Sequence, residues 1–410
     1  MLNINFKRLN GRLQELSEVG RTSEGGSRRL ALTDADKAGR DLVQRWMIDL
    51  GLEVSIDKIG NIFAVLKGSA NKKPIMMGSH IDTVGNGGHL DGCLGVLGGL
   101  EVIETYIENG KIPEHDLAVA IFTNEEGARF QPDMMGSLIH AHGLSLEDAY
   151  QTISNDGKKL KEELERIGYL GDMECGTIIP HAFIELHIEQ GPILEKENIK
   201  IGAVENVQGI SWTSVTIKGQ ANHAGTTPMS MRCDAGYAAA LLTVRVRQIA
   251  EEIGGVHVGT VGVINPKPNL INVVAGDVKL TVDLRNVDEE KLKQSEKLFE
   301  DALSDIAELE GVEISTETLA RFEPVKFDDR VACVITQAAN ELGLSNKRMN
   351  SGAGHDAQMM ARICPTAMIF VPSRDGISHN PKEHTDEHYL KSGAEVLLKT
   401  VQKIDGGTVL

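Results

Sequence analysis

The sequence predicts an α/β protein whose mixed, largely parallel sheet is layered with helices and interrupted by an inserted α+β unit. Three observations predict it. Short apolar runs at 74–78, 117–122, 182–188 and 366–371 alternate with amphipathic stretches, as buried strands alternate with helices. Between residues 211 and 325 the order changes to β-α-β-β-α-β, that of a ferredoxin-like unit. A chain of 410 residues also exceeds what one compact core usually holds.

In chain order, residues 1–20 read as an amphipathic helix, without the uninterrupted apolar stretch of a signal peptide. A second helix is expected over 36–50, then strands at 61–66 and 74–78. The Gly-rich segment 84–99 leads into a helix through Tyr106, and 117–122 and 182–188 are buried strands. Inside the insertion, 212–219 alternates like an antiparallel strand and Asp234–Ile253 like a helix. Strands at 256–264 and 277–284, a charged helix at 288–309 and a strand at 312–317 complete it. The first pattern resumes near Val325 and ends on the strand 366–371. The expected domains are therefore 1–210 with 326–410, and 211–325.

Composition narrows the function classes. The formal charge of −17, from 42 basic and 59 acidic side chains, argues against nucleic acid, whose phosphates require a basic face. No apolar run approaches the ~20 residues of a membrane helix. Five scattered cysteines, without CxxC pairing, suggest neither a disulfide framework nor a thiolate zinc site and point to a reducing cytoplasm.

Polar residues cluster at or just beyond the C-terminal ends of the apolar runs, the edge where open α/β sheets bind ligands. His80 and Asp82 follow one run, Glu125 and Glu126 the next; His187 and Gln190 end the third, and His379 lies beyond the last. Asp91 sits in the Gly-rich entry to a helix. Alone, each has a plainer reading: a capped histidine, a solvated acidic pair, an Asp-Gly turn. Together, three histidines with Asp and Glu form an imidazole and carboxylate set suited to zinc, manganese, cobalt or nickel. Five ligands give three per ion for two ions if one carboxylate bridges. Of the adjacent Glu125 and Glu126, one can ligate while the other moves a proton. Asp82, two residues after His80, suits either accepting the second imidazole N–H or capping a turn.

Six segments carry a resemblance over nearly the whole chain: GSHIDTVGNGGHLDGCLGVLGG (78–99), TNEEGARF (123–130), ELHIEQGPILE (185–195), NHAGTTPM (222–229), SGAGHDAQ (351–358) and GISHNP (376–381). They resemble the dinuclear-zinc aminoacylase/carboxypeptidase superfamily, in its hydantoinase/carbamoylase branch. That branch holds N-carbamoyl-L-amino acid hydrolases, β-ureidopropionases and allantoate amidohydrolases. The resemblance implies that Asp91 bridges two ions, with Glu126 and His379 on one and His80 and His187 on the other. It makes Glu125 the base and Asp82 the orienting carboxylate. His187, where peptidase relatives carry a carboxylate, looks like the carbamoylase branch.

The resemblance also implies that the insertion is a lid and dimerisation module. It assigns His223 to the oxyanion, reaching across a homodimer, and Asn272 and Arg285 to the substrate. Physically, Arg285 suits a substrate carboxylate held through two parallel hydrogen bonds. Gln190, Gly354 and His355 are further substrate contacts on the same ground. The expected reaction is hydrolysis of the ureido group of an N-carbamoyl amino acid. Allantoate amidohydrolase is the alternative within the family, and a catalytically dead, metal-binding dimeric scaffold is the alternative outside it.

Overall fold

A computed structural model describes residues 2–408. The chain divides into two compact units, Met1–Glu205 with Lys326–Leu410, and Asn206–Val325.

The strands are β1 (Glu53–Ile56), β2 (Ile62–Leu66), β3 (Lys72–His80), β4 (His115–Phe122), β5 (Ala182–Ile188), β6 (Ile201–Val207), β7 (Gly209–Lys218), β8 (Asn222–His223), β9 (Val258–Lys267), β10 (Val273–Val274), β11 (Asp277–Asn286), β12 (Glu313–Phe322), β13 (Val325–Lys326), β14 (Asn346–Ser351) and β15 (Thr366–Val371). The larger unit is built on one mixed sheet, ordered β1-β2-β4-β3-β5-β15-β6-β13, with β14 beside β6. Its centre, β4-β3-β5-β15, is parallel, whereas β1, β2 and β6 pair antiparallel at its flanks. The expected apolar runs are that parallel centre, buried on both faces, as runs without alternation require. The antiparallel flank has a physical reason: only residues 57–61 join β1 to β2, too few for a parallel crossover.

Helices cover the sheet. Cys93–Glu108 is buried along almost its whole length. Gly95 and Gly99 bring it onto the strands: a Cβ at Gly95 would lie 2.7 Å from the Leu186 carbonyl oxygen, and one at Gly99 2.9 Å from Met77 Cβ. Asp34–Asp49 starts where the Thr33 side chain accepts the Asp36 N–H, with Asp34 and Asp36 in its first turn favouring the helix dipole. The N-terminal helix is shorter than its sequence pattern, Phe6–Ser17, and begins at the Asn5 cap.

The smaller unit carries an antiparallel four-stranded sheet ordered β12-β7-β11-β9. The helices Ala235–Ile253 and Glu289–Glu310 pack on it through Leu242, Val246, Phe299 and Ile306 against Val215, Ile217, Leu280 and Val282. Asp234 and Asp288 cap the two helices. β8 and β10 form a separate two-residue ribbon.

Among the described residues, no helix is long and apolar enough to cross a membrane. All five cysteines are free.

Candidate metal centre

The parallel strands end together, and that edge builds the site. His80 is the last residue of β3, in register with Phe122 of β4, so the turn 123–126 starts beside it. His187 is the penultimate residue of β5, paired with Phe370 of β15. The chain beyond β15 supplies His379, and the entry to the helix Cys93–Glu108 supplies Asp91.

Asp91 is the hub. Its Oδ1 lies 3.1 Å from His187 Nε2 and 3.5 Å from His80 Nε2, and its Oδ2 lies 3.4 Å from His379 Nε2. Glu126 Oε2 closes the second group, 3.3 Å from His379 Nε2. The five expected ligands therefore fall into two sets that share Asp91: His80, Asp91 and His187, and Asp91, Glu126 and His379. The buried histidines have their Nδ1 committed, His80 to the Asp82 carbonyl oxygen at 2.9 Å and His187 to the Ile188 carbonyl oxygen at 2.8 Å. That fixes the tautomer and leaves the Nε2 lone pair toward the centre. The Val84 N–H donates to Glu126 Oε1 at 3.2 Å, which turns Oε2 toward His379.

The electrostatics describe a site short of positive charge. Burial and the neighbouring Asp91 push the Glu126 carboxyl up to about 8. Burial, opposed by His80, also raises Glu125 well above the usual carboxylate range, with Asp356, Glu126 and Asp91 adding to it. Burial would lower His80, yet Glu125 and Asp91 hold it well above its ordinary value. Divalent cations relieve this repulsion, and the donor set of imidazole and carboxylate without thiolate suits them. The residues present fit a two-ion centre.

Asp82 differs from its expected contact. Its backbone oxygen receives the His80 ring N–H, while its carboxylate stands 3.9 Å from that ring nitrogen. The carboxylate instead accepts the N–H of Glu125 and of Glu126, each at 3.3 Å. It therefore orients the acidic pair. Gln190 Nε2 donates to Asp91 Oδ2 at 2.8 Å and contacts Ser378 Oγ at 3.2 Å, and its buried Oε1 has no partner. His355 is buried with its ring 4.5 Å from that of His187, and its Nε2 meets Ser351 Oγ at 2.9 Å. Gly354, beside it, packs on Met134.

The other expected contacts lie in the smaller unit. β8 and β10 bring His223 and Asn272 together, with the Ala224 N–H donating to the Asn272 carbonyl oxygen. His223 is exposed, and its Nδ1 accepts the N–H of Gly225 at 3.0 Å and of Thr226 at 3.3 Å. Its proton is therefore on Nε2. Arg285 is paired with Asp283 and lies 5.7 Å over the Trp212 ring.

Sequence reasoning missed Glu185 and Glu383. Glu185 is fully buried on β5; it accepts Ser79 Oγ–H at 2.6 Å and the Ala357 N–H at 2.8 Å, tying together the segments of His80, His187 and His355. Its signal was available, since a carboxylate inside the apolar run AFIELHI needs a partner.

An α/β sheet with two histidine and carboxylate triads meeting on one aspartate at its strand ends defines a metal-dependent hydrolase. The profile of Peptidase family M20/M25/M40 matches residues 76–403. An N-carbamoyl-L-amino-acid amidohydrolase of Rhizobium meliloti is 42% identical over 399 residues, 97% of this chain and 96% of its own. An allantoate amidohydrolase of Bacillus subtilis is 34% identical, covering 96% of each. The crystal structure of an amidase of the hydantoinase/carbamoylase family from Burkholderia multivorans superposes with a TM-score of 0.95 at 42% identity, covering 100% of both chains. The chain belongs to the M20/M25/M40 family and, within it, to the hydantoinase/carbamoylase branch of amidohydrolases.

Proposed function

We propose that this chain hydrolyses the ureido group of N-carbamoyl L-amino acids, releasing the amino acid, ammonia and carbon dioxide. Two divalent ions serve it, zinc foremost, with manganese, cobalt and nickel as the other candidates. The observation that carries the reading is the division of Asp91, whose two oxygens face two different ligand sets. The bound ions supply Lewis-acid polarisation and acidify water.

The chain's own groups do the rest. Glu125 is the general base: buried beside the ligand sets but belonging to neither, it takes a proton from the attacking water and returns it to the leaving nitrogen. Asp82 aims it through the backbone. With the Gln190 Nε2 engaged by Asp91 and Ser378, its unpartnered Oε1 remains as an acceptor, which suits a ureido N–H. His355 and the backbone of Gly354 complete that wall.

We assign Asn206–Val325 the role of lid and dimerisation domain. Its edge strand β9 exposes Val258, Val263 and Ile264, an open edge of the kind that pairs with a second copy. His223, with its proton on the exposed Nε2, donates to the developing oxyanion from the partner subunit. Arg285 takes the substrate carboxylate, beside Asn272.

Allantoate is the second reading, favoured by the Bacillus subtilis relative. The non-catalytic scaffold is opposed by the presence of every ligand and of the base. The deciding experiment is ammonia release from allantoate, N-carbamoyl-β-alanine and both enantiomers of N-carbamoyl amino acids. Preference for the L-amino acid derivatives supports the proposal. Preference for allantoate selects the second reading, and silence from all of them ends the ureido assignment.

A further inference from the structure

We propose that Glu383 is a positioning residue that locks the His379 loop to the Asp91 loop, and so sets the affinity of the ion shared by Asp91, Glu126 and His379. The proposal rests on the two-ion reading above.

The two triads are not equally supported. His80 and His187 stand on central strands, buried, with their second ring nitrogens held by backbone carbonyl oxygens. His379 lies on a loop, its side chain 53% exposed and its backbone at φ +53°. A non-glycine residue keeps such a conformation only where its surroundings over-determine it. Something must therefore hold this loop.

Glu383 is placed to do so. Four residues beyond His379, its side chain is buried. Its Oε1 accepts the N–H of Leu90 at 3.0 Å and of Asp91 at 3.2 Å. Its Oε2 accepts the hydroxyl of Ser378, the residue before His379, at 2.9 Å. One carboxylate thus grips the backbone of the bridging aspartate and the residue adjoining the exposed histidine. Gln190 extends the clamp, with its Nε2 meeting both Asp91 Oδ2 and Ser378 Oγ. Gly88 makes room for it: a Cβ there would sit 2.1 Å from Glu383 Oε1. The φ of Gly88 falls outside the left-handed region, so alanine at 88 offends by its contact with Glu383 and not by backbone strain.

The test is calorimetric zinc titration of the chelator-stripped full-length chain, with circular dichroism to establish folding. Wild type should bind two ions. Glu383→Ala should bind the ion at Asp91, Glu126 and His379 about 10–100-fold more weakly and the other, which shares only Asp91 with that set, markedly less so. Ser378→Ala should move the same ion in the same direction. Gly88→Ala should reproduce the effect with Glu383 still present, and Gly88→Ala/Glu383→Ala should be no weaker than Glu383→Ala alone. Glu383→Gln, which keeps one acceptor oxygen, should restore much of the lost affinity. Unchanged binding of both ions, or equal weakening of both, would overturn the proposal. If Glu383→Ala does not fold, the Ser378 and Gly88 variants decide by the same criteria. A wild type that binds fewer than two ions instead refutes the two-ion reading beneath it.

Discussion

Glu125 Oε2 lies 3.3 Å from His80 Nε2, while its neighbour Glu126 points at His379. Adjacent carboxylates thus address different imidazoles, and only Glu126 belongs to a ligand triad. Glu125→Gln keeps the shape and removes the proton acceptor. Turnover should fall by about 10²- to 10⁴-fold with ion content unchanged. Metal analysis beside steady-state kinetics checks this; full activity, or loss of ions, would remove Glu125 from the role of base.

Asp82 acts on that pair through the backbone. Asp82→Asn replaces one acceptor oxygen with a donor facing an N–H, so one of the two backbone hydrogen bonds is lost. The expected outcome is a kcat reduced about 10- to 100-fold with KM little changed. A raised KM at constant kcat would show instead that Asp82 shapes the substrate pocket.

The parallel centre of the sheet, and His80, Glu125, Glu126 and His187 at its strand ends, were legible because each lies in, or directly after, an apolar run; Asp91 and His379 lie farther on, in the segments that follow β3 and β15. β5 shows why: AFIELHI is buried at every position, and its penultimate residue, His187, is one of the proposed ligands. What was hidden is geometric. That the Asp82 carbonyl oxygen, and not its carboxylate, meets His80 depends on a turn no spacing encodes. Glu383 was invisible because its partners Leu90 and Asp91 lie nearly three hundred residues away in the chain. The flanking strands β1 and β14 are only partly buried, so no run of apolar residues announces them.

Removing the ions should cost stability as well as activity. The carboxylates of the proposed ligands crowd one another: burial, with Asp91 alongside, pushes Glu126 up to about 8. An ion present at about 100 times its Kd stabilises by about 2.7 kcal/mol per site. Scanning calorimetry should find a lower Tm after chelation, recovered on adding zinc. An unchanged Tm would contradict a bound ion in the native state.

Asp57 should give the chain a pH-dependent stability unrelated to catalysis. Burial pushes its carboxyl from the ordinary 3.8 to about 6, against hydrogen bonds from Asn61 and Ile59. A raised folded-state value means that the folded protein holds the proton more tightly. That contribution is full below about pH 4 and is lost as pH rises through about 6. The loss is at most about 3 kcal/mol. Urea unfolding across this window, compared with Asp57→Asn, isolates the term. A wild-type curve parallel to that of the variant would refute it.

Gly92 offers the sharpest separation of site from fold. It precedes the helix Cys93–Glu108 at φ +65°, and a Cβ there would lie 2.5 Å from His80 Cδ2 and Nε2. Its N–H also points at His187 Nε2, 3.2 Å away. Gly92→Ala therefore adds backbone strain of about 1–3 kcal/mol and drives a methyl group into the His80 ring. The strain falls on a loop, so the chain should still fold with wild-type circular dichroism and a modestly lower Tm. His80 cannot keep its place, and the ion it shares with Asp91 and His187 should be lost, taking turnover down by at least about 10²-fold. A variant that binds both ions and turns over normally would mean that His80 is not held where the structure puts it.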